Sequence, residues 1–182
     1  MTKPLVTKRR ELNQWSEMKY TAFRYGRLWI GALRSSTGLR RLTLPQPSRN
    51  KALEALHLVE EAQEAPELFG DLIRLLEKYF SGQKTDFPIE LDLTKFTPFQ
   101  RRVWEATKCI PWGETGSYAW VAKRARSPRG ARAVGQALGK NPIPIIIPCH
   151  RVLTSGGKLG GFTGGLKVKE YLLKLEAGNK AD

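Results

Sequence analysis

Cysteine and histidine are scarce in this sequence, whose 182 residues contain two of each. Two cysteines in a chain of this length exclude a disulfide framework and indicate reduced thiols, as in a cytoplasmic protein. We expect Cys109 to be a buried small group at a helix end and His57 to lie on a helix surface. Apart from the neighbouring pair Cys149 and His150, Cys109 and His57 are the only cysteine and histidine of the chain. A four-ligand zinc site cannot be assembled from them, so we expect no metal and no other cofactor.

Long apolar runs are also absent. The three isoleucines at 145–147 are flanked by prolines, and no run approaches the roughly 20 residues that a membrane helix needs. The first ten residues are basic, but no apolar segment follows them, so we expect no secretory signal. An apolar content of 41% is ordinary for a globular protein with a buried core.

Acidic residues are few compared with basic ones, and this imbalance is the first indication of function. The chain has 31 Lys and Arg against 17 Asp and Glu, a net charge of +14. Residues 95–182 hold 16 basic and 5 acidic residues, a net charge of +11, whereas residues 1–94 hold 15 and 12, a net charge of +3. A basic half of this kind is typical of a protein that binds nucleic acid, although a generally basic surface is the alternative.

The N-terminal half has the pattern of a small strand-and-helix domain, which we expect to end near residue 94. Aromatic and aliphatic residues are dense at its beginning, as in strands, and apolar stripes at helical spacing follow. In chain order, the predicted elements are a loose basic arm (1–19), strands (20–44), a helix (48–63), a second helix (66–82) and an extended link (86–93).

The C-terminal half, residues 95–182, is predicted to be mainly helical. Thr97 and Gln100 have the spacing of a capping box, with Pro98 at the first helical position. Two further helices are predicted over 117–126 and 131–140, and the compact turn between them makes the pair a candidate helix-turn-helix.

The second helix of this pair has a small-residue face that carries one arginine. Arg132 stands among Ala131, Ala133 and Gly135, and small residues allow a helix backbone to come close to another surface. A packed helical hairpin without a DNA role is the alternative, and the charge asymmetry favours DNA.

Cys149 follows a predicted short buried strand at 144–147 and is followed directly by His150. A thiol is a strong nucleophile only as the thiolate, so a reactive cysteine needs a base or a positive field nearby. Adjacent residues on a strand point to opposite faces, so the pair must lie in a turn or be joined through a water. The alternative is a structural cysteine beside an exposed histidine.

The segment around this cysteine resembles the O6-methylguanine-DNA methyltransferases. The resemblance extends over most of residues 95–178 and is weak in sequence over residues 1–94, where the strand-then-helix order fits the family's N-terminal domain. It implies an α/β (α+β) fold in which the C-terminal domain contains the helix-turn-helix and the active cysteine. The matching motifs are Thr97-Pro98-Phe99-Gln100, Ser117-Tyr118, Ala131-Arg132-Ala133-Val134-Gly135, Asn141-Pro142, Pro148-Cys149-His150-Arg151-Val152, Gly164-Gly165-Leu166 and the helix from Lys169 to Glu176.

The resemblance also implies a reaction and a set of catalytic residues. An alkyl group would move irreversibly from O6 of guanine, or O4 of thymine, to Cys149, so that each molecule acts once. His150 would act as the base through a water, and Glu176 would orient it. Asn141 would brace the turn around the cysteine, and Tyr118 would hydrogen-bond the guanine and protonate it as it leaves.

The implied partner is double-stranded DNA that contains O6-alkylguanine, bound by a monomer through the minor groove without sequence specificity. Because O6 lies inside the base stack, the nucleotide must be flipped out, and Arg132 would take its place. Relatives often have Tyr and Ser at positions 162 and 163, so Phe162 keeps the stacking face without the hydroxyl. The implied DNA-binding residues are Arg132, Ala131, Ala133, Gly135, Thr97 and Arg151. The implied pocket residues are Phe162, Thr163, Val152 and Leu138.

Three other functions compete with this interpretation. The first is a non-enzymatic sensor of alkylated DNA with the same fold, in which relatives have Trp in place of Cys149. The second is a helix-turn-helix regulator that responds to alkylation, although no separate effector domain is evident. The third is a Cys-His hydrolase, which would not require a half with a net charge of +11.

Overall fold

The structure, a computed structural model, describes residues 18–178. These residues divide into two compact units, one formed by 18–74 with 88–92 and the other by 75–87 with 93–178. The second unit therefore includes a segment that precedes residue 94 in the chain. The predicted basic arm lies outside the described residues except for its end, where Met18 is buried and Lys19 begins the first strand.

The first unit contains a mainly antiparallel sheet with the order β3-β2-β1-β4 among its described strands. The predicted strand region divides at a two-residue turn, where Tyr25 pairs with Leu28. The mixed strand-and-helix fold class predicted from the sequence is confirmed. The strands are β1 (Lys19–Tyr25), β2 (Leu28–Ser35), β3 (Gly38–Leu42) and the short β4 (Gln63–Glu64).

Helix α1 (Arg49–Leu56) covers this sheet and is shorter than predicted. Ser48 caps its start by accepting a hydrogen bond from the backbone N–H of Lys51. The helix ends because His57 adopts a left-handed conformation with φ 48° and donates its N–H to the carbonyl of Glu54. The predicted continuation to residue 63 was wrong, since Gln63 instead pairs with Lys19 in the sheet.

The next helical segment begins as predicted with Pro66, in a 3-10 turn (Pro66–Phe69) that leads into α2 (Gly70–Phe80). Helix α2 starts in the first unit and ends in the second. Its final turns bring Tyr79, which is fully buried, into the second unit.

The first helix that lies wholly in the second unit is α3 (Pro98–Lys108), and its predicted capping box is present. The Thr97 hydroxyl accepts from the Gln100 N–H at 3.2 Å, and the Gln100 side chain accepts from the Thr97 N–H at 3.0 Å. The predicted helix pair is α4 (Tyr118–Arg124) and α5 (Ala131–Gly139). Trp104 of α3 packs beneath the pair and donates to the carbonyl of Ala137 at 3.0 Å.

The predicted strand at 144–147 is instead a tight, buried turn. Ile145 has φ 75°, which is rare for a β-branched residue, and the Ile147 N–H donates to the carbonyl of Ile143 at 2.9 Å. The chain continues through a short 3-10 turn (Cys149–Arg151) into β6 (Val152–Leu153), which pairs in parallel with β5 (Gly116–Ser117). This pairing places the 3-10 turn that begins at Cys149 beside the start of α4.

The last helix, α6 (Leu166–Glu176), buries both charged and apolar side chains on the same face. Lys169, Leu172, Leu175 and Glu176 are the buried members. No helix of the described chain has the length and apolar character needed to cross a membrane.

Gly31 on β2 permits the close approach of helix α1, and this can be tested by mutation. A Cβ at Gly31 would lie 2.8 Å from the carbonyl oxygen of Ala52 and 3.0 Å from the Leu56 side chain. We expect Gly31→Ala to destabilise the protein by about 1–3 kcal/mol, since a backbone carbonyl cannot move aside. Denaturant unfolding measures the effect, with Gly70→Ala as control because nothing lies within 4 Å of its added methyl. Equal stability of the two variants would contradict the close packing of α1 on β2.

Candidate active site

Cys149 lies at the end of the buried turn, where Asn141 holds both the turn and the sulfur. The Asn141 amide Nδ2 donates to the carbonyl of Ile147 at 2.8 Å and to Sγ of Cys149 at 3.0 Å. Its Oδ1 accepts from the N–H of Ile143 at 3.0 Å. One side chain thus satisfies two backbone groups of the turn and points a donor at the thiol.

Cys149 is 8% exposed, and its surroundings shift the pKa of its thiol in opposite directions. Burial raises the pKa of Cys149, while the Asn141 hydrogen bond and the positive charge of Lys169 lower it. Lys169 is fully buried on α6, where its ammonium donates to the carbonyls of Val152, at 2.7 Å, and Leu159. The charge is therefore fixed inside the protein, where it favours the thiolate more than a mobile surface lysine would.

His150 is fully buried and is oriented by Glu176. Its Nε2 lies 2.8 Å from Oε1 of Glu176. Burial lowers the pKa of His150, which favours the neutral ring. In that state an Nε2–H donates to the carboxylate and Nδ1 keeps its lone pair. Nδ1 is buried without a protein hydrogen-bond partner among residues 18–178, so it is the nitrogen free to accept a proton.

Glu176 is the centre of a buried hydrogen-bond network. Burial tends to raise the pKa of Glu176, but hydrogen bonds from His150 and Arg151 outweigh it and bring the pKa to about 2. Arg151 donates Nε to Oε2 at 2.7 Å and Nη2 to Oε1 at 3.0 Å, and the Tyr79 hydroxyl donates to Oε1 at 2.7 Å. The carboxylate is therefore charged at neutral pH and fixed in position.

The structure corrects the prediction that Arg151 contacts DNA. Its guanidinium is buried against Glu176, and Nη1 donates to the carbonyl of Ile110 at 2.6 Å. A side chain held by three such bonds is not available to a phosphate. Arg151 therefore positions the carboxylate that orients His150.

A cavity of about 680 Å³ opens beside Cys149 and brings together most of the predicted pocket and helix residues. Val152 is the exception in the predicted pocket set, because it is fully buried and does not line the cavity. Ala133 and Thr97 are exposed, but they lie outside the cavity as well. The predicted residues that line it with Cys149 are Tyr118, Ala131, Arg132, Gly135, Leu138, Phe162 and Thr163.

Tyr118 stands against the glycine-rich loop on the wall of this cavity. Its hydroxyl donates to the carbonyl of Gly161 at 3.5 Å, and burial, followed by the Cys149 charge, raises the pKa of Tyr118. A Cβ on Gly160 would lie 2.9 Å from that hydroxyl, and Gly160 has φ 64°. Glycine at position 160 is therefore required both by the backbone conformation and by the tyrosine.

Sequence reasoning missed Lys169 and Tyr79 as site residues. Lys169 shares a helix face with Leu172 and Glu176, at spacings of three and seven residues, so a lysine at a core position was the available signal. Tyr79 belongs to the apolar stripe of the helix predicted over 66–82, and nothing in the sequence pattern links it to Glu176.

The two isolated residues Cys109 and His57 do not join any metal site. Cys109 is exposed, so the prediction that it is buried was wrong; its thiol lies 3.5 Å from the carbonyl of Glu105 at the end of α3. His57 is exposed at the end of α1. Within residues 18–178, no three His, Cys, Asp or Glu side chains are grouped in a way that could hold a metal ion.

Comparison with known proteins decides the family. The model of the 6-O-methylguanine DNA methyltransferase DNA-binding domain matches residues 98–178, and that of its ribonuclease-like domain matches residues 18–93. The chain belongs to the 6-O-methylguanine DNA methyltransferase family. The resemblance found in the sequence is thereby confirmed, including over the first half, where sequence motifs were weak.

Relatives within the family cover most of the chain. A methylated-DNA–protein-cysteine methyltransferase of Mycolicibacterium paratuberculosis is 46% identical over 136 residues, 70% of this chain and 82% of that protein. One from Methanosarcina acetivorans is 44% identical over 126 residues, 69% of this chain and 80% of that protein. The crystal structure of Mycobacterium tuberculosis OGT in complex with DNA has a TM-score of 0.75 and 39% identity, covering 88% of this chain and 94% of that one.

The contribution of Lys169 to thiol reactivity can be measured without a substrate. We expect Lys169→Met to raise the pKa of Cys149, because the buried positive charge that favours the thiolate is lost. Below the pKa, each unit of increase lowers the thiolate fraction about tenfold, so the pH profile of Cys149 alkylation by iodoacetamide should move to higher pH. Lys169→Arg should shift it less, since the charge remains.

The exposed Cys109 supplies an internal control in the same sample. Its peptide is quantified separately by mass spectrometry, and its pH profile should be the same in both variants. An unchanged Cys149 profile in Lys169→Met would contradict the proposed effect of Lys169. Parallel shifts of both peptides would indicate a change in the fold instead.

Proposed function

We propose that this protein repairs DNA by transferring an alkyl group from O6 of guanine to Sγ of Cys149. The observation that carries the proposal is that Cys149 lines the cavity and that its Sγ accepts a hydrogen bond from Asn141. The positive charge of the buried Lys169 also favours the thiolate. A proton acceptor, His150, follows Cys149 in the chain and is held by Glu176. The names of its relatives support DNA repair by alkyl transfer to a protein cysteine.

The chemical step would proceed by direct displacement at the alkyl carbon. The Cys149 proton passes through a water to Nδ1 of His150, and Glu176 stabilises the imidazolium that forms. The thiolate electron pair then forms the S–C bond while the C–O6 bond breaks and its electrons return to guanine. Tyr118, which its raised pKa keeps protonated at neutral pH, donates a proton to the departing base. The imidazolium proton restores the tyrosine through solvent.

The cavity would receive a nucleotide that has been rotated out of the helix. While the guanine stays stacked and paired in the duplex, its O6 substituent cannot reach the buried Cys149, which is 8% exposed. Arg132 is exposed on α5 at the edge of the same cavity, beside Ala131 and Gly135. We propose that it enters from the minor groove and fills the gap in the stack. Phe162 offers an apolar face for stacking on the base.

The product explains why each molecule would act once. A thioether on Cys149 has no leaving group that water or another thiol can displace under cellular conditions. We extend the proposal to O4 of thymine, whose alkyl group presents the same displacement chemistry. We also propose that the protein acts as a monomer and without sequence preference, in a reducing cytoplasm that keeps Cys149 as a thiol.

Transfer to Cys149 is tested by mass. After incubation with a duplex that contains O6-methylguanine, we expect the Cys149 peptide to gain one methyl group in proportion to the lesion removed, up to one per molecule. Cys149→Ala should still bind the duplex but leave the lesion intact. An unmodified Cys149 peptide together with loss of the lesion would overturn the assignment, as would more than one lesion removed per protein.

The role of Arg132 is tested with two substrates that differ in whether a nucleotide must be flipped. We expect Arg132→Ala to slow repair of duplex DNA at least tenfold more than reaction with free O6-benzylguanine, because the free base needs no extrusion. Lys140→Ala is the control, since it removes one positive charge at the exposed end of the same helix and does not line the cavity. Equal losses on both substrates would contradict the proposed role.

A further inference from the structure

A second cavity of the C-terminal unit is lined by four arginines. It has a volume of about 690 Å³ and lies along α3 and the end of α4. Its lining includes Arg101, Arg102, Arg124, Arg126, Glu105 and Cys109, and we call it the arginine groove. It shares no lining residue with the cavity at Cys149. The active-site chemistry therefore gives these arginines no role.

Two of the four guanidinium groups are held in place by neighbours. Arg102 donates Nε to the carbonyl of Ala125 at 3.2 Å. The guanidinium of Arg124 lies 4.9 Å from the centre of the Trp120 ring, in a cation–π contact. Both arrangements fix the position of the side chain and leave donors unused, which lowers the entropy lost when an anion binds.

The other two arginines have no ion pair within the described part of the chain. No carboxylate of that part compensates the charge of Arg101 or of Arg126. Glu105 contributes a carboxylate to the groove, but its Oε2 lies 3.8 Å from Nζ of Lys108. Four cations thus face one carboxylate that is already paired.

The backbone at Arg126 points to a role for its side chain. Arg126 has φ 57°, a left-handed conformation that is unfavourable for a residue with a Cβ and that glycine adopts freely. Strain of this kind is commonly kept at functional positions. Arg126 thus occupies a backbone position that suits glycine, and its side chain lines the groove.

We propose that the arginine groove binds the phosphodiester backbone of DNA, at a site separate from the cavity that receives the damaged base. Guanidinium groups match phosphate oxygens in geometry, and this half of the chain carries a net charge of +11. Helix α4 is the first helix of the helix-turn-helix pair, the one that crosses the DNA backbone in such motifs. The inference rests on the proposed DNA function and extends the DNA-binding surface beyond the lesion.

Cys109 makes the groove directly measurable. It is exposed and lines the groove, whereas Cys149 is buried and lines the other cavity, so the two peptides can be measured separately. We expect an undamaged duplex to slow alkylation of Cys109 by N-ethylmaleimide, read by mass spectrometry of its peptide. If protection is complete at one duplex per protein, the groove contacts the same duplex that the rest of the protein binds. If protection needs an excess of duplex, the groove binds the phosphates of a second duplex. Full reactivity of Cys109 at saturating DNA would overturn the proposal.

Charge removal supplies an independent test. We expect Arg101→Ala/Arg126→Ala to weaken binding of undamaged duplex and to reduce the slope of log Kd against log salt by about 2, nearly one for each phosphate that is no longer neutralised. Lys78→Ala/Lys84→Ala removes two charges from exposed positions of the same unit outside both cavities, so its slope should change less. Equal slopes in the two variants would contradict a phosphate site in the groove.

Arg126→Gly separates a binding role from a structural one. Glycine relieves the left-handed backbone, so the melting temperature should stay the same or rise while DNA affinity falls. Unchanged affinity would overturn the role of this arginine. Alkyl transfer from free O6-benzylguanine to Cys149 is measured in every variant, and its retention shows that a loss of DNA binding is not a failure of the proposed chemistry. Protection of Cys109 by polyglutamate but not by DNA would instead assign the groove to an acidic protein partner.

Discussion

The candidate active site depends on one buried carboxylate. Glu176 on α6 accepts hydrogen bonds from His150 and Arg151, in the 3-10 turn that begins at Cys149, and from Tyr79 at the end of α2. A buried charge of this kind is stable only when it is well paired, and removal of a single partner leaves the remaining groups poorly satisfied. The same bonds that keep Glu176 ionised therefore also fix the imidazole ring, so that electrostatics and geometry cannot be changed separately.

A second constraint is the opposition between burial and reactivity at Cys149. Burial raises the pKa of Cys149 and makes its thiolate costly, and the Asn141 hydrogen bond with the Lys169 charge offsets part of that cost. The lysine itself is held by two backbone carbonyls, so its charge cannot move to solvent. Fixed groups, and not exposure to solvent, therefore favour the thiolate of Cys149.

Local signals in the sequence predicted most of the helices, whereas the residues expected around Cys149 came from the family resemblance. The capping box at Thr97 and the helix-turn-helix follow from short-range rules, and the structure has both. Features that depend on contacts between residues far apart in the sequence could not be predicted from these local signals. The isoleucines at 145–147 favour a strand, but Asn141 donates to the carbonyl of Ile147 and accepts from the N–H of Ile143, and these bonds stabilise a turn. Any local pattern places Arg151 at the surface as a cation, and only the position of Glu176, 25 residues later, shows why it is buried.

The hydrogen bond from Tyr79 has a consequence for how the gene can be divided. Tyr79 lies before residue 98, where the match to the family's DNA-binding domain begins, yet its hydroxyl donates to the carboxylate that orients His150. The proposed active site therefore extends beyond the residues that match that domain. A fragment cloned from residue 95 onward would contain Cys149, His150 and Glu176 but would lack one donor of the network. Recombination at this boundary would exchange part of the active site along with the N-terminal domain.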